Sequence, residues 1–318
     1  MALKNFKGYL LAAIAAAAYG TNPAFAIPLY EQGMNPNSVL MFRYILGLPL
    51  IACVMKIRHV SFNLNKDEIL HVAVLGILMA VSSLSLFESY NYMNSGVAST
   101  LLFVYPIMVA VLMVFLFHEK FKASVGLCLL IMSGGLVMLM KPQSGNSLSL
   151  TGILLVMVSA GTYAIYIILV NVSKTVKKIP TTKLLFYVLL TGTLFYLLLI
   201  PLGYRLTLPE RTGGWGSLFA LAIIPTVLSL ACTTRAIQLI GSTPTAIFGA
   251  LEPASAVILS VTMLDQPITG REIIGGLLIV VAATIVVADS SVDKIILHVR
   301  KMFPRPHRKG KGKEEESR

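Results

Sequence analysis

The 318-residue chain is 56% hydrophobic and 13% charged, with a mean hydropathy of +0.80 and a formal net charge of +12. A soluble domain carries roughly a quarter charged residues, so this composition excludes an ordinary soluble globular protein. The apolar residues run in long blocks rather than in the ~10-residue alternations of a spanning barrel, which leaves helices as the element able to satisfy its own backbone in lipid.

A helix needs about 20 predominantly apolar residues to cross a hydrocarbon core roughly 30 Å thick. On that criterion the chain predicts ten spans, at 8–29, 38–55, 69–92, 96–117, 122–140, 150–171, 183–202, 215–238, 243–264 and 271–289. The first imitates a secretory signal, with Lys4 and Lys7 before an apolar run and Ala24-Phe25-Ala26 after it. The apolar segment continues to about Leu29, however, and its removal would leave the first half one helix short, so it is read as a retained span. Turn and polar residues mark the connections, among them Asn35-Pro36-Asn37, His118-Glu119-Lys120, Lys141-Pro142 and the stretch from Asp265 to Gly270. Pro23, Pro106, Pro225 and Pro253 fall inside spans and predict kinks, static or hinged. Gly134-Gly135 and Gly275-Gly276 predict close helix packing.

Basic residues set the orientation. With the N-terminus in the cytoplasm, eleven of them outside the tail lie inside and four (Lys141, Arg205, Arg211, Arg271) lie outside. Both termini are therefore expected in the cytoplasm of a multi-pass protein of the bacterial inner membrane. The tail, 290–318, adds nine more, so the positive charge is a topology signal and requires no nucleic-acid partner. Residues 295–303 interleave apolar and basic side chains, a pattern that fits a short interfacial helix on anionic lipid as well as a solvated tail. Cys53, Cys128 and Cys232 all sit in apolar blocks, with no disulfide framework and no metal-ligand spacing.

The chain repeats itself. Ser95 to Pro106 lies on Ser242 to Pro253 at a constant offset of 147, and Gly20-Thr21-Asn22 corresponds to Gly161-Thr162-Tyr163. Phe42-Arg43 likewise corresponds to Phe186-Tyr187. Five helices per unit is an odd number, so the second unit enters from the opposite side. The expected fold is all-α, ten transmembrane helices as two inverted-topology five-helix repeats, with the first at 8–140 and the second at 150–289. Such an architecture places a solute site between the halves near the midplane.

Several motifs occur in order over both halves: Phe42-Arg43-Tyr44, Tyr90-Asn91-Tyr92-Met93-Asn94-Ser95-Gly96-Val97-Ala98-Ser99, Tyr105-Pro106, and then Glu119 with Gly126. Arg235-Ala236-Ile237-Gln238 and Leu251-Glu252-Pro253 follow in the second half. In these the sequence resembles the EamA (RhaT-like) branch of the drug/metabolite transporter superfamily over residues 8 to 289. The resemblance implies ten helices in two halves, a central solute pathway and alternating access, commonly for export of amino acids or other metabolites. The chain departs from the family at Asp265-Gln266-Pro267, where a glutamate like Glu119 is usual.

Ionisable groups inside a span cost roughly 2.5–3.5 kcal/mol each on insertion scales and so tend to face a partner or a wet cavity. Arg43, Glu88, Arg235 and Glu252 meet that description. Arg43 and Glu88 fall at similar depth near the outer side, so they are positioned to pair; Glu252 falls near the midplane. The repeat sets Glu88 against Arg235, Asn91 against Gln238, Tyr105 against Glu252 and Asn22 against Tyr163. These nine residues are the expected substrate pathway, lined by helices 1, 3, 4, 6, 8 and 9. Structural ion pairs, snorkelling and interhelical hydrogen bonding are the plain alternatives for them.

The function expected is a secondary transporter, an exporter of a small metabolite such as an amino acid, with no cofactor and no metal. Its partners are the solute and the bilayer, with anionic lipid at the tail. Gly310-Lys311 is followed by Gly312 and makes no Walker A motif. A membrane sensor or scaffold is the next class. An intramembrane enzyme ranks last, because the sequence offers neither a buried Ser–His pair, a facing Asp pair nor a metal cluster.

Overall fold

The computed structural model describes residues 2–93, 95–118, 123–139, 149–203, 205–249, 251–252, 254–255, 270–271, 273–282 and 284–285. Glu119, Pro253, the Asp265-Gln266-Pro267 turn and the basic tail lie outside the described residues.

Among the described residues every regular element is a helix. Six runs are long and apolar enough to cross a membrane: Phe6–Tyr30, Pro36–Ile57, Lys66–Ser89, Leu150–Val172, Thr181–Leu202 and Thr212–Ile240. Tyr105–Phe117, Ala123–Met138 and Ile273–Ala282 are shorter apolar helices. In chain order the helices are α1 (Ala2–Tyr19), α2 (Asn22–Tyr30), α3 (Pro36–Ile57), α4 (Lys66–Ser89), α5 (Ser95–Leu102), α6 (Tyr105–Phe117) and α7 (Ala123–Leu139). The second half holds α8 (Leu150–Val172), α9 (Lys174–Lys178), α10 (Thr181–Leu199), α11 (Thr212–Leu221), α12 (Ser229–Ile240), α13 (Ser242–Phe248) and α14 (Ile273–Ala282).

The distribution of polarity is that of a lipid-facing bundle. Leu10, Ile77, Phe115, Leu130 and Leu198 are exposed, while Asn22, Asn37, Ser82, Ser159 and Thr234 are buried. In water such a surface would be an aggregation liability; against acyl chains it is the expected exterior.

Small residues and hydroxyls set how closely the helices approach. On the α4–α8 seam Ser82 Oγ donates to the Ser159 carbonyl at 3.0 Å, and Ser159 Oγ donates to the Ser82 carbonyl at 2.8 Å. Between α3 and α10, a Cβ on Gly192 would stand 2.5 Å from the Tyr44 ring. The Tyr196 hydroxyl then donates to the Ala80 carbonyl at 3.1 Å, tying α10 to α4. Of the two glycine pairs singled out in the sequence, Gly135 does press on α14: its Cβ would be 2.8 Å from the Gly275 carbonyl. Gly134 and Gly276 meet nothing within 4 Å, so one member of each pair is spare.

The prolines do not simply bend continuous helices. The first span breaks at Gly20–Thr21, and Pro23 begins the helix that follows. A second break at Phe103–Val104 separates α5 from α6, which opens on Tyr105-Pro106. A proline at the first helical turn has no backbone bond to lose, so each break falls just upstream of its proline. Pro225 instead lies in a π-helical turn, Ala222–Leu228, where the Thr226 hydroxyl donates to the Leu221 carbonyl at 2.6 Å. Wide turns of this kind concentrate at functional sites. The short α13 ends at Phe248, within one residue of the position that the repeat offset gives for the end of α5 at Leu102.

Candidate functional site

The broken first span meets the chain just beyond α13 directly. A Cβ on Gly20 would lie 2.2 Å from Ser255 Oγ and 2.5 Å from the Glu252 carbonyl oxygen. Glycine is required here because the obstacle includes backbone, which cannot swing aside. Ser255 Oγ donates to that same Glu252 carbonyl at 2.7 Å.

Beside this crossing lies a small cavity of about 20 Å³, room for about one water molecule in this conformation. Its first wall is α1, where Ala12, Ala15, Ala16 and Tyr19 recur at helical spacing and present one face. Tyr105 enters from α6, and Tyr163 with Ile167 from α8. Ser229 and Thr233 of α12 and Thr245, Gly249 and Glu252 of the α13 region complete it. Among the described residues the lining thus comes from the first, fourth, sixth, eighth and ninth of the expected helices. The third, α4, was expected in the wall but contributes no lining residue; its small face is spent on packing against α8 through Ser82.

Most hydroxyls here are engaged. Ser229 Oγ donates to the Ala15 carbonyl at 2.9 Å, Thr245 Oγ1 to the Gly241 carbonyl at 2.7 Å, and the Tyr105 hydroxyl to the Ala246 carbonyl at 3.2 Å. Tyr105 sits so close to α13 that a Cβ on Gly249 would be 1.7 Å from its hydroxyl oxygen. The Tyr105 ring meets Tyr163 edge-on at 4.9 Å, and Tyr163 stacks on Tyr166 at 6.2 Å. Glu252 is different. It is 9% exposed, and no described side chain bonds or pairs with its carboxyl group.

Arg43 lies on the other side of the Gly20–Thr21 break. It is fully buried on α3, and its Nη1 donates to Asn22 Oδ1 at 3.2 Å. The guanidinium rests over Phe87 at 5.3 Å and Tyr44 at 5.6 Å. Tyr44 is held in turn by Ser83 at 3.4 Å and by an edge contact with Tyr196 at 5.3 Å. Arg43 and Glu88 were expected to be in reach of each other, but they make no pair. Glu88, half-buried, accepts instead from Asn91 Nδ2 at 3.1 Å, and Asn91 is exposed.

The remaining candidates form a fourth group at the end of α12. Arg235 is exposed and donates to Gln238 Oε1 at 3.1 Å, which also accepts from Thr181 at 3.2 Å. The nine residues therefore separate into the cavity (Tyr105, Tyr163, Glu252), the sealed pair (Asn22, Arg43) and two peripheral pairs (Glu88–Asn91 and Arg235–Gln238).

Sequence reasoning missed Tyr19, Ser229, Thr233 and Thr245 as lining residues. The Ala12-Ala15-Ala16-Tyr19 periodicity and the i, i+4 spacing of Ser229 and Thr233 were the available signals. It also read Lys183 only as a topology charge. Lys183 is nearly buried and pairs with Glu68 at 2.9 Å, while also donating to the Asn63 carbonyl. Glu68 accepts from the Asn65 amide at 3.1 Å, so this pair clamps the start of α4 to α10. Among the described residues no group of histidines, cysteines and acids is arranged to hold a metal.

The EamA-like transporter family matches this chain twice, over residues 6–141 and again over 150–288. The chain belongs to that family. It is a multi-pass membrane transporter of the drug/metabolite superfamily, and the two matched stretches are the two copies of the repeat. A search of the curated proteins returned no match. One solved crystal structure resembles this EamA-like protein with a TM-score of 0.71 at 16% identity, covering 89% of this chain and 94% of its own. At that identity the likeness speaks for the fold alone. The crossing of broken helices and the cavity beside it draw on both family-matched stretches.

Proposed function

We propose that this protein is a secondary transporter that exports a small metabolite, such as an amino acid, across the bacterial inner membrane by alternating access. The observation that carries this reading is the cavity at the crossing of the Gly20–Thr21 break with the chain just beyond α13. It draws side chains from both family-matched stretches and contains an acid without a described partner. Broken helices expose backbone and polar groups at membrane depth, where a solute can be held.

In this reading the chain crosses the membrane ten times as two inverted five-helix repeats, with both termini in the cytoplasm. The cavity-lining part of α1 precedes the break, so with that orientation the cavity lies toward the cytoplasm. The Arg43 cluster, beyond the break, then seals the outer side. Glu252, Tyr105 and Tyr163 contact the solute near the midplane, Asn22 and Arg43 contact it further out, and Arg235–Gln238 and Glu88–Asn91 stand at the inner and outer mouths. A carboxyl group can carry a proton as well as bind a cation, so Glu252 is the residue to couple solute movement to protons. Repacking between two arrangements of the halves alternates access, with each state favoured by its own contacts.

The test is flux of a metabolite panel into proteoliposomes containing the purified protein, with and without a proton gradient. At least one solute should move faster than into empty liposomes, and Glu252→Gln combined with Arg235→Ala should slow it at least tenfold. Failure of every solute to move, or flux indifferent to that double variant, overturns the reading.

A further inference from the structure

Arg43 carries a discrepancy that the cavity does not explain. Its side chain is fully buried, yet Nε and Nη2 have no hydrogen-bond partner, and neither does Nδ2 of the equally buried Asn22. A buried guanidinium left short of acceptors is costly, because each unsatisfied polar group keeps its desolvation penalty, and a charged one keeps the most. The ring faces of Phe87 and Tyr44 offset part of that penalty through cation–π attraction. They supply no hydrogen-bond acceptor along the guanidinium edge.

The three orphaned nitrogens have one thing in common: each is a donor. Nε and Nη2 are the side-on pair of the guanidinium fork, the geometry that matches the two oxygens of a carboxylate. Nη1 is already committed to Asn22 Oδ1, which leaves the amide nitrogen of Asn22 as a further donor without a partner. What is absent is a group that only accepts. A hydroxyl or an amide would bring at least one donor of its own to a place already crowded with donors.

No internal acceptor reaches these donors. Glu88 is bonded to Asn91, Glu252 lies across the Gly20–Thr21 break among the cavity residues, and Asn37 Oδ1, itself buried without a partner, stands at the start of α3. Tyr19 lines the cavity and Asn22 holds Arg43, only three residues further along the same broken span. A solute leaving the cavity past the break would therefore meet Arg43 next.

We infer that the Arg43–Asn22 cluster is a carboxylate-binding station, closed in this conformation by Phe87 and Tyr44, which engages the carboxylate of the transported solute. The inference rests on the transporter reading for its route, and it narrows the solute to carboxylates, amino acids included. Arg43→Lys would retain the charge and lose the fork, whereas Arg43→Gln would lose both.

The experiment is isothermal titration of the full-length protein in zwitterionic-lipid nanodiscs with matched pairs, acetate against acetamide, succinate against succinamide and L-leucine against L-leucinamide. At least one carboxylate should bind tenfold or more tighter than its amide in the unmodified protein, a result that needs no variant. Arg43→Gln should abolish that ratio and Arg43→Lys should leave less than half of it on a logarithmic scale, with helical circular dichroism unchanged. Equal binding of every pair, absence of carboxylate binding, or a ratio that survives Arg43→Gln would overturn the inference. Flux of the same pairs into proteoliposomes separates the two readings. Carboxylate and amide crossing at equal rates sinks the station and leaves transport standing; tight carboxylate binding without any flux does the reverse.

Discussion

The region around Glu252 and the region around Arg43 are built from the same break in the first span, and the chain packs them in opposite ways. On the α1 side of Gly20–Thr21 the facing residues are small, Ala12, Ala15 and Ala16, and their retreat leaves room for a cavity. On the α2 side the neighbours are aromatic, Phe87 and Tyr44, and they close over the guanidinium until it has no exposure at all. One region thus holds a buried acid beside a water-sized cavity, the other a cation with donors to spare and no cavity of its own. The difference teaches that side-chain volume, more than charge, decides which polar group in this bundle keeps free space beside it. It also makes the break itself the element both regions depend on.

Gly20→Ala is the change that should damage both at once. The new Cβ would stand 2.5 Å from the Glu252 carbonyl and 2.2 Å from Ser255 Oγ, and the carbonyl is backbone that cannot rotate away. Overpacking of this kind costs about 3 kcal/mol, the upper end of its usual range. We expect a lowered unfolding midpoint in detergent together with loss of flux. An unchanged midpoint would mean that the two broken helices are not in contact in the working protein.

The parts of this arrangement that could be read in the sequence are those written as periodicity and order. The apolar blocks, the constant offset of 147 and the small-residue faces each depend on spacing alone. Tyr105 and Glu252, matched by that offset, lie together in the lining of one cavity. The Gly135–Gly275 approach was legible for the same reason. What could not be read is direction around a helix and continuity along it. Depth placed Arg43 and Glu88 at one level, but depth says nothing of azimuth; Arg43 turns to Asn22 and Glu88 to Asn91. The breaks at Gly20–Thr21 and Phe103–Val104 lie inside apolar blocks, where averaged hydropathy is blind to them. Lys183 looked like a topology charge because a sequence cannot display its partner Glu68, more than a hundred residues away.

Gly249→Ala should injure the cavity and spare the Arg43 side. The added Cβ would sit 1.7 Å from the Tyr105 hydroxyl oxygen, 2.9 Å from the Ala246 carbonyl and 3.0 Å from Tyr105 Cζ. We expect a loss of about 2 kcal/mol, of which Tyr105→Phe in the same chain recovers about half by removing the nearest atom. The preference for a carboxylate over its amide should persist in Gly249→Ala. Its disappearance would show that the two regions are one packing unit and erase the contrast between them.

The smallest effect belongs to the seam that joins the regions. The same helix α4 carries Phe87 of the sealed cluster, and α8 carries Tyr163 of the cavity; Ser82 and Ser159 fasten these helices by reciprocal bonds of 3.0 and 2.8 Å. Interhelical hydrogen bonds in membranes average only about 0.6 kcal/mol. Ser82→Ala and Ser159→Ala should therefore each cost about that much. Because the two hydroxyls also lie 3.2 Å from each other, the double variant should cost less than the sum of the singles. Additive losses would mean that each serine bonds independently and that the seam transmits nothing between the two regions. Sub-additive losses, with flux falling further than stability does, would identify the α4–α8 contact as the one that shifts when the closed side opens.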